Sequence, residues 1–120
     1  MKILITGGAG YIGTELTKYL LQNKEIKEIT VYDNLSIGHA NFFLGKEYPK
    51  GTRLKFVNGD ILDSRLLRKS LVGIDTVIHL AAKVTTPFAN NDPHFYEQIN
   101  HWGTAEVTYA EEERYVRKQI

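Results

Sequence analysis

The feature that most restricts the fold of this chain is a glycine-rich turn, Gly7 to Gly13, between an apolar strand and a helix. Its last six residues fit the pattern G-x-G-x-x-G. One glycine permits backbone angles closed to other residues, another lets the main chain approach a pyrophosphate, and a third lets the helix pack tightly against the sheet. Because free N–H groups at the helix start attract phosphates, the turn predicts a site for a dinucleotide.

Four apolar runs rich in β-branched or aromatic residues are strand candidates. They are Ile3 to Thr6, Ile29 to Tyr32, Leu54 to Val57 and Thr76 to Leu80. Strands that alternate with helices indicate a parallel sheet, because parallel neighbours need crossover connections. The sequence therefore predicts an α/β fold, a Rossmann-like parallel sheet with helices on both faces, truncated to about four strands.

Two helices are predicted between these strands. In the first, Ile12, Leu16 and Leu20 recur every four residues and form an apolar stripe that faces the sheet. In the second, Asp63 caps a helix that ends at Gly73. The inward-facing residues of that helix are Leu66, Leu67 and Leu71. The long stretch from Asn34 to Arg53 predicts a further short helix around Ala40 to Leu44.

Composition favours one compact domain with a small-molecule partner. The chain has 120 residues, of which 42% are hydrophobic, and a net charge of +1 from 15 basic and 14 acidic residues, which gives no reason to expect nucleic acid or a membrane surface. No cysteine is present, and the four histidines lack a metal-binding spacing. Neither a signal segment nor a membrane-spanning run is evident, so we expect a cytoplasmic protein without a bound metal.

An acidic residue strengthens the dinucleotide prediction. Asp33 ends the second strand, 20 residues beyond Gly13, where a carboxylate accepts hydrogen bonds from both ribose hydroxyls and repels a 2′-phosphate. NAD is therefore favoured over NADP. The alternatives are that the glycines only form a tight turn and that Asp33 only caps the next segment. A nucleoside-triphosphate loop is disfavoured, because Thr14 occupies the position that needs lysine.

Several segments together resemble the extended short-chain dehydrogenases/reductases, in particular NAD-dependent nucleotide-sugar epimerases and dehydratases such as the UDP-glucose 4-epimerase-like proteins. Thr6 to Gly13 is similar to the T-G-x-x-G-x-x-G turn of that family. Val31 to Gly38 resembles its ribose-binding segment, and Gly59 to Asp63 its adenine-contacting G-D-I-x-D. His79 to Ala82 resembles H-x-A-A at the end of strand four, and Asn100 to Thr104 resembles N-x-x-G-T at the start of a long helix.

The resemblance implies a set of residues that contact NAD. They are Gly7, Gly10, Tyr11, Ile12, Gly13, Asp33, Asn34, Leu35, Ser36, Gly38, Asp60, Ile61, Leu80, Ala81, Ala82, Lys83 and Asn100. For some of these residues a structural role competes with the cofactor role. Asp60 and Asn100 could be caps, and Lys83 is as readily a solvated lysine. We expect His79 to be packed and hydrogen-bonded, with no catalytic role.

The catalytic signature of the family is missing. The family reaction needs a tyrosine with a lysine four residues later, and none of the seven tyrosines here has one. We therefore predict an NAD-binding domain over residues 1–110, a charged helical tail over residues 111–120 and no catalytic residue. The predicted function is NAD binding as the N-terminal portion of a nucleotide-sugar epimerase or dehydratase whose catalytic half is absent. The alternative is a non-catalytic NAD-sensing or protein-interaction module.

Three predictions concern partners. A nucleotide-sugar substrate is expected only if the C-terminal half is supplied, and the loop from Thr85 to Phe95 is the segment of this chain placed near it. In the family strand order a fifth strand flanks strand four, so its edge is left open here. That edge could pair in a homodimer, bind a missing C-terminal part or be covered by the final helix.

Overall fold

The structure, a computed structural model, describes residues 1–35, 54–82 and 92–119, with side chains up to residue 113. The strands are β1 (Lys2–Thr6), β2 (Glu28–Asp33), β3 (Leu54–Asn58) and β4 (Thr76–His79). The α-helices are α1 (Tyr11–Leu20), α2 (Ser64–Ser70), α3 (Pro93–Glu97) and α4 (Gly103–Gln119), and a π-helical turn (Gln98–Trp102) joins α3 to α4.

The described strands form one parallel sheet in the order β3-β2-β1-β4. β1 is central and reverses the direction in which the sheet grows, which is the arrangement of a Rossmann-type fold. At such a reversal the connections leave opposite faces of the sheet and open a crevice at the carboxyl ends of the strands. The predicted α/β class and parallel sheet are confirmed.

Helices cover both faces of this sheet, as predicted. Side chains of β1 alternate between the faces, so that Ile3 and Ile5 pack with α1 while Leu4 packs on the other side. The second face carries α2 and α4, whose Leu67, Leu71, Val107 and Ala110 are buried against it. These two apolar clusters hold the helix starts and the strand ends in fixed positions around the crevice.

Helix α1 differs from its predicted orientation in its first turn. Leu16 and Leu20 pack against the sheet cluster as expected, but the prediction for Ile12 is wrong, since this side chain is 69% exposed. Gly13 and Thr17 are the buried residues of the helix. Ile12 borders the crevice at the strand ends and is not among the side chains packed in either apolar cluster.

Helix α2 follows its prediction. The Asp63 side chain caps it by accepting a hydrogen bond from the Leu66 N–H at 3.1 Å. Leu67 and Leu71 are buried, and Leu66 packs beside them. Gly73 has φ +80°, the left-handed conformation expected of a glycine after a helix.

The final helical region begins earlier than predicted. A helix beginning at Asn100, or capped by it, was expected, but the Asp92 side chain caps α3 by accepting from the Phe95 N–H at 3.1 Å. Asn100 lies inside the π-helical turn, because the run from α3 through α4 is continuous and needs no cap there. The boundary predicted after residue 110 falls within α4 and stays a prediction. The short helix predicted around residues 40–44 lies outside the described residues.

In the described part of the chain no helix combines the length and apolar character needed to cross a membrane.

Candidate cofactor site

A cavity of about 310 Å³ opens at the carboxyl ends of β1, β2 and β4. Of the residues predicted to contact NAD, twelve line it. They are Gly7, Gly10, Tyr11, Ile12, Gly13, Asp33, Asn34, Leu35, Ile61, Leu80, Ala81 and Ala82. Ser36, Gly38 and Lys83 lie outside the described residues. Asp60 and Asn100 are described but are not among the residues of the cavity wall.

The glycine turn forms the first wall of this cavity. Gly7 has φ +68°, and a Cβ atom there would lie 2.7 Å from the Ala81 nitrogen, so both its conformation and its surroundings require glycine. Its N–H donates to the Tyr32 carbonyl at 2.8 Å. A Cβ at Gly13 would lie 2.5 Å from Gly8 Cα. The helix thus approaches the turn as closely as two backbones can, which confirms the packing inferred from the motif.

The first turn of α1 supplies hydrogen-bond donors at the same wall. Gly10 is the N-cap, and no side chain caps the helix there. Tyr11, Ile12 and Gly13 border the cavity, and N–H groups in the first turn of a helix have no acceptor within the helix. These donors and the positive end of the helix dipole favour an anion such as a pyrophosphate.

Asp33 is held beside the glycine turn by two main-chain donors. Its Oδ2 accepts from the Ala9 N–H at 3.0 Å, and its Oδ1 accepts from the Leu35 N–H at 2.8 Å. The second bond holds Leu35 at φ +58°, a left-handed conformation that costs a non-glycine residue energy. Asp33 therefore caps the segment that follows β2, which is the structural role given above as the alternative to ribose binding. A carboxylate has about four acceptor positions, so two remain for a diol.

Asp60 has a structural role at the turn after β3. Its Oδ1 accepts from the Leu62 N–H at 2.9 Å, and its main-chain carbonyl accepts from the Tyr32 hydroxyl at 2.7 Å. Burial, followed by the negative charges of Asp63 and Asp60, raises the pKa of Tyr32 to about 12. Gly59 and Ile61, on either side of Asp60, line the cavity. The adenine contact of Asp60 stays a prediction.

The main chain after β4 forms the floor of the cavity. Thr6 Oγ1 accepts from the N–H groups of Leu80 and Ala81, at 3.1 and 3.3 Å. His79 lies between Thr6 and Thr104, with its Nδ1 2.6 Å from Thr6 Oγ1 and its Nε2 3.1 Å from Thr104 Oγ1. Burial lowers the pKa of this imidazole. His79 is thus hydrogen-bonded between two hydroxyls, as the sequence predicted.

The π-helical turn determines which side chain of the last region reaches the cavity. Ile99 lines it, whereas Asn100 lines a second hollow, with His101, Thr104 and Tyr109. The cofactor contact of Asn100 stays a prediction. Sequence reasoning missed Ile99, as well as Ala9, Tyr32 and Gly59. The last three adjoin predicted residues, so their neighbours were a usable signal. Ile99 adjoins the predicted Asn100, but the extra residue in a π turn changes which of these two positions faces inward.

In the described residues no group of three or more histidine, aspartate or glutamate side chains is placed to bind a metal ion.

Comparison with known proteins agrees with this geometry. The family model of the NAD dependent epimerase/dehydratase family matches residues 3–119. A dTDP-glucose 4,6-dehydratase of Mycolicibacterium smegmatis is 32% identical over 117 residues, which cover 98% of this chain and 34% of the relative. A UDP-glucose 4-epimerase of Halalkalibacterium halodurans is 39% identical over 106 residues, which cover 87% of this chain and 29% of the relative.

Solved structures show the same similarity. DesIV, a dTDP-glucose 4,6-dehydratase from Streptomyces venezuelae with NAD and TYD bound, superposes with a TM-score of 0.80 at 31% identity, over 92% of this chain and 35% of that chain. UDP-glucose 4-epimerase of Thermus thermophilus in complex with NAD gives a TM-score of 0.72 at 29% identity, over 92% of this chain and 33% of that chain.

The chain thus spans about a third of the length of the relatives that it matches. The match extends through the sheet, the glycine turn and the final helix, and the cofactor named for the family is the one that Asp33 predicts. The resemblance inferred from the motifs is confirmed. This chain belongs to the NAD dependent epimerase/dehydratase family.

Proposed function

We propose that this chain binds NAD in the cavity at the strand ends, as the N-terminal nucleotide-binding portion of a nucleotide-sugar epimerase or dehydratase. The observation that carries the proposal is that one cavity is bordered by both the first turn of α1 and the Asp33 carboxylate. The first suits the pyrophosphate and the second suits the adenosine ribose. Relatives solved with NAD bound support the choice of cofactor.

The remaining walls fit the rest of the cofactor. Ile61 and Ile99 offer apolar surface beyond Asp33 for the flat adenine ring, and Leu80 and Ala81 form a floor next to the glycine turn. When bound, NAD would supply the hydride acceptor of the family reaction. The residues of this chain bind and orient it, and the negative charge of Asp33 disfavours a 2′-phosphate.

Because the 120 residues contain no Tyr-x-x-x-Lys, we expect no turnover of a sugar nucleotide by this chain alone. Chemistry on the sugar would require the part of the relatives that this chain does not match. Incubation of the purified chain with NAD and UDP-glucose or dTDP-glucose should give no absorbance of reduced nicotinamide. A burst of that absorbance would contradict the non-catalytic role.

Calorimetric titration of the chain with NAD and with NADP tests the cofactor site. We expect NAD to bind at least about tenfold more tightly, since NADP would place a phosphate against the carboxylate. Asp33→Asn removes the charge and one acceptor and should weaken NAD binding roughly tenfold. Equal affinity for the two cofactors would overturn the role of Asp33, and absence of NAD binding at millimolar concentration would overturn the proposal.

Asp75→Asn is a matched control for that experiment. Asp75 also accepts a main-chain N–H, that of Lys2 at 2.8 Å, but it lies at the amino ends of the strands, away from the cavity. The substitution therefore makes the same chemical change at the opposite end of the sheet. It should leave both cofactor affinities unchanged, and an effect equal to that of Asp33→Asn would show that the loss is not local.

We further propose that two copies pair through β4. This strand has β1 on one side, and the described residues place no strand on its other side. An edge of free N–H and C=O groups favours pairing. Light scattering should then give twice the monomer mass of 13.7 kDa. A monomeric mass at high concentration would contradict the pairing.

A further inference from the structure

The floor of the cavity depends on a chain of hydrogen bonds that leads away from it. Thr6 and His79 are partners in the parallel register of β1 and β4, and Thr6 is fully buried. Its hydroxyl oxygen accepts from the Ala81 N–H and shares the Leu80 N–H with the Thr6 main-chain carbonyl, to which Leu80 donates at 2.9 Å. The hydroxyl proton is therefore available for the third partner, His79 Nδ1 at 2.6 Å, and that nitrogen must be an acceptor.

The other ring nitrogen leads to the same protonation state by an independent route. Thr104 Oγ1 donates its proton to the Asn100 carbonyl at 2.9 Å. Its oxygen therefore accepts from His79 Nε2, which lies 3.1 Å away and must carry a hydrogen. Two hydroxyl groups on different elements thus define one neutral tautomer, with the proton on Nε2.

We propose that His79, held as the neutral Nε2–H tautomer, is a positioning residue for the cofactor. It acts through Thr6, whose hydroxyl it orients so that the oxygen lone pairs meet the N–H groups of Leu80 and Ala81. Through Thr104 it also ties this floor to α4. This role rests on the proposed NAD site, but it concerns a residue that does not itself border the cavity.

The clearance at Gly7 makes the position of the floor important. The Ala81 nitrogen lies 2.7 Å from the position that a Gly7 Cβ would occupy, so the floor sits directly against the glycine turn. A shift of the main chain at Leu80 or Ala81 would move the turn that faces the pyrophosphate. The Thr6 hydroxyl adds to the main-chain bond from the Leu80 N–H to the Thr6 carbonyl, and it is oriented to do so while His79 Nδ1 accepts its proton.

A second proton on the imidazole would break this arrangement. Nδ1–H would face a hydroxyl oxygen whose lone pairs already receive main-chain donors, and the Thr6 proton would lose its acceptor. The groups that face His79 are Thr6 from β1 and Thr104 from α4, neither of which is charged. His101, a titratable residue of the helical side, lines the same hollow as Thr104. The lowered pKa of His79, caused by burial, agrees with a neutral ring.

Nitrogen NMR of the complete chain, labelled at histidine, tests the tautomer without any ligand. His79 should show a protonated Nε2 and an unprotonated Nδ1 at neutral pH, and it should stay neutral below the ordinary histidine pKa of about 6.5. A proton on Nδ1 at neutral pH would overturn the assignment.

Titration with NAD then tests the positioning role with two amide variants. His79→Asn keeps an acceptor near the place of Nδ1, and His79→Gln keeps only a donor near the place of Nε2. We expect the dissociation constant for NAD to rise roughly tenfold in the Gln variant and less than about threefold in the Asn variant. Thr6→Val, which keeps the volume of the side chain and removes its hydroxyl, should match His79→Gln.

Helix α4 offers a matched control pair. Thr104→Val removes the hydroxyl that contacts His79, whereas Thr108→Val removes an equivalent hydroxyl that donates only to the Thr104 carbonyl. The first should weaken NAD binding a few fold and the second should not. Urea unfolding of each variant separates a local change from loss of the fold.

The pH dependence of NAD binding gives the last readout. The neutral ring is the competent form, so affinity in the wild type should fall only as the pH is lowered below the ordinary histidine pKa of about 6.5, because burial lowers the pKa of His79. His79→Asn should remove this dependence. If the wild type binds NAD and both His79→Gln and Thr6→Val bind it with the same affinity, the positioning role is overturned while the proposed NAD site stands. Failure of the wild type to bind NAD overturns the proposed site and, with it, this role.

Discussion

The two sides of the cavity are held by different kinds of contact. On the glycine side, formed by the turn between β1 and α1, main chain meets main chain, and a Cβ at Gly13 would lie 2.5 Å from Gly8 Cα. On the β4 side, one main-chain bond from Leu80 to Thr6 is supplemented by side-chain hydrogen bonds from Thr6 to His79 and from His79 to Thr104. The first arrangement leaves no room to adjust, whereas the second can relax at each hydroxyl.

This difference predicts how substitutions will behave. A methyl group added on the glycine side must move a helix or a strand, so it should reduce the stability of the whole domain. Removal of a hydroxyl on the β4 side changes one or two hydrogen bonds. It should therefore weaken cofactor binding while it lowers the stability of the domain less than an added methyl group on the glycine side.

Gly13→Ala should have the largest effect on stability. Its Cβ would overlap the backbone of Gly8, which cannot rotate away as a side chain can. We expect the free energy of unfolding to fall by about 3 to 4 kcal/mol, measured by urea denaturation.

Gly73→Ala is the control for that loss. Gly73 has positive φ, but a Cβ there would meet open space, so the variant should lose only about 1 kcal/mol, from backbone strain. Its NAD affinity should stay unchanged. Similar losses in the two variants would contradict the claim that backbone contact fixes the glycine side.

The contrast between the glycine side and the β4 side also explains which features could be predicted from the sequence. The glycine turn and Asp33 are local signals, because a close backbone approach requires glycine and the chemistry of a ribose contact requires an acceptor. Twelve of the predicted residues accordingly line the cavity. The parallel sheet was equally accessible, because it follows from the alternation of strand and helix patterns.

The β4 side was less accessible for a physical reason. Thr6 and His79 are 73 residues apart in the chain, and His79 and Thr104 are 25 apart, so no local pattern joins them. Asn100 resembled a cofactor residue, but the π-helical turn places Ile99 at the cavity instead. In the first turn of α1, Ile12 likewise borders the crevice and is exposed, which breaks the stripe that the periodicity predicts.

Tyr32 connects the glycine side to the turn after β3, and its ionisation gives the second largest effect. Its carbonyl accepts from Gly7 and its hydroxyl donates to Asp60. The folded pKa of about 12 lies above the ordinary value of 10.0, so between these values the unfolded chain loses the phenol proton while the folded chain keeps it. Stability is therefore complete below pH 10 and should fall by about 2 kcal/mol as the pH rises toward 12.

Urea unfolding at neutral and alkaline pH checks this prediction with a pair of variants. Tyr32→Phe should lose about 1 kcal/mol at neutral pH, since the Asp60 carbonyl loses a donor, and should have a smaller alkaline loss than the wild type. Tyr19→Phe, which removes a phenol from a side chain that is 71% exposed, should follow the wild type at both pH values. Equal alkaline slopes in the wild type and Tyr32→Phe would contradict the assignment.

Gly103→Ala asks whether close packing also matters on the side that we describe as adaptable. A Cβ there would lie 2.8 Å from Ile61 Cγ2, which is part of a side chain. We expect a loss of about 1 kcal/mol, because the higher helix propensity of alanine offsets part of the overlap. In the double variant with Ile61→Ala the overlap disappears, so the two changes should couple favourably by about 1 kcal/mol. Additive losses would show that overlap with the Ile61 side chain does not cause the loss at Gly103.

The smallest effect is expected at the ion pair between α2 and α4. Arg68 and Glu113 are 2.9 Å apart, but their side chains are 45% and 44% exposed, so a double-mutant cycle with Arg68→Gln and Glu113→Gln should give a coupling of about 0.5 kcal/mol. High salt should remove most of it. Apolar burial of Val107 and Ala110 then holds α4 on the sheet, and α4 needs no ion pair to keep Thr104 at His79. A coupling above about 2 kcal/mol would show that the ion pair is what holds α4 on the sheet.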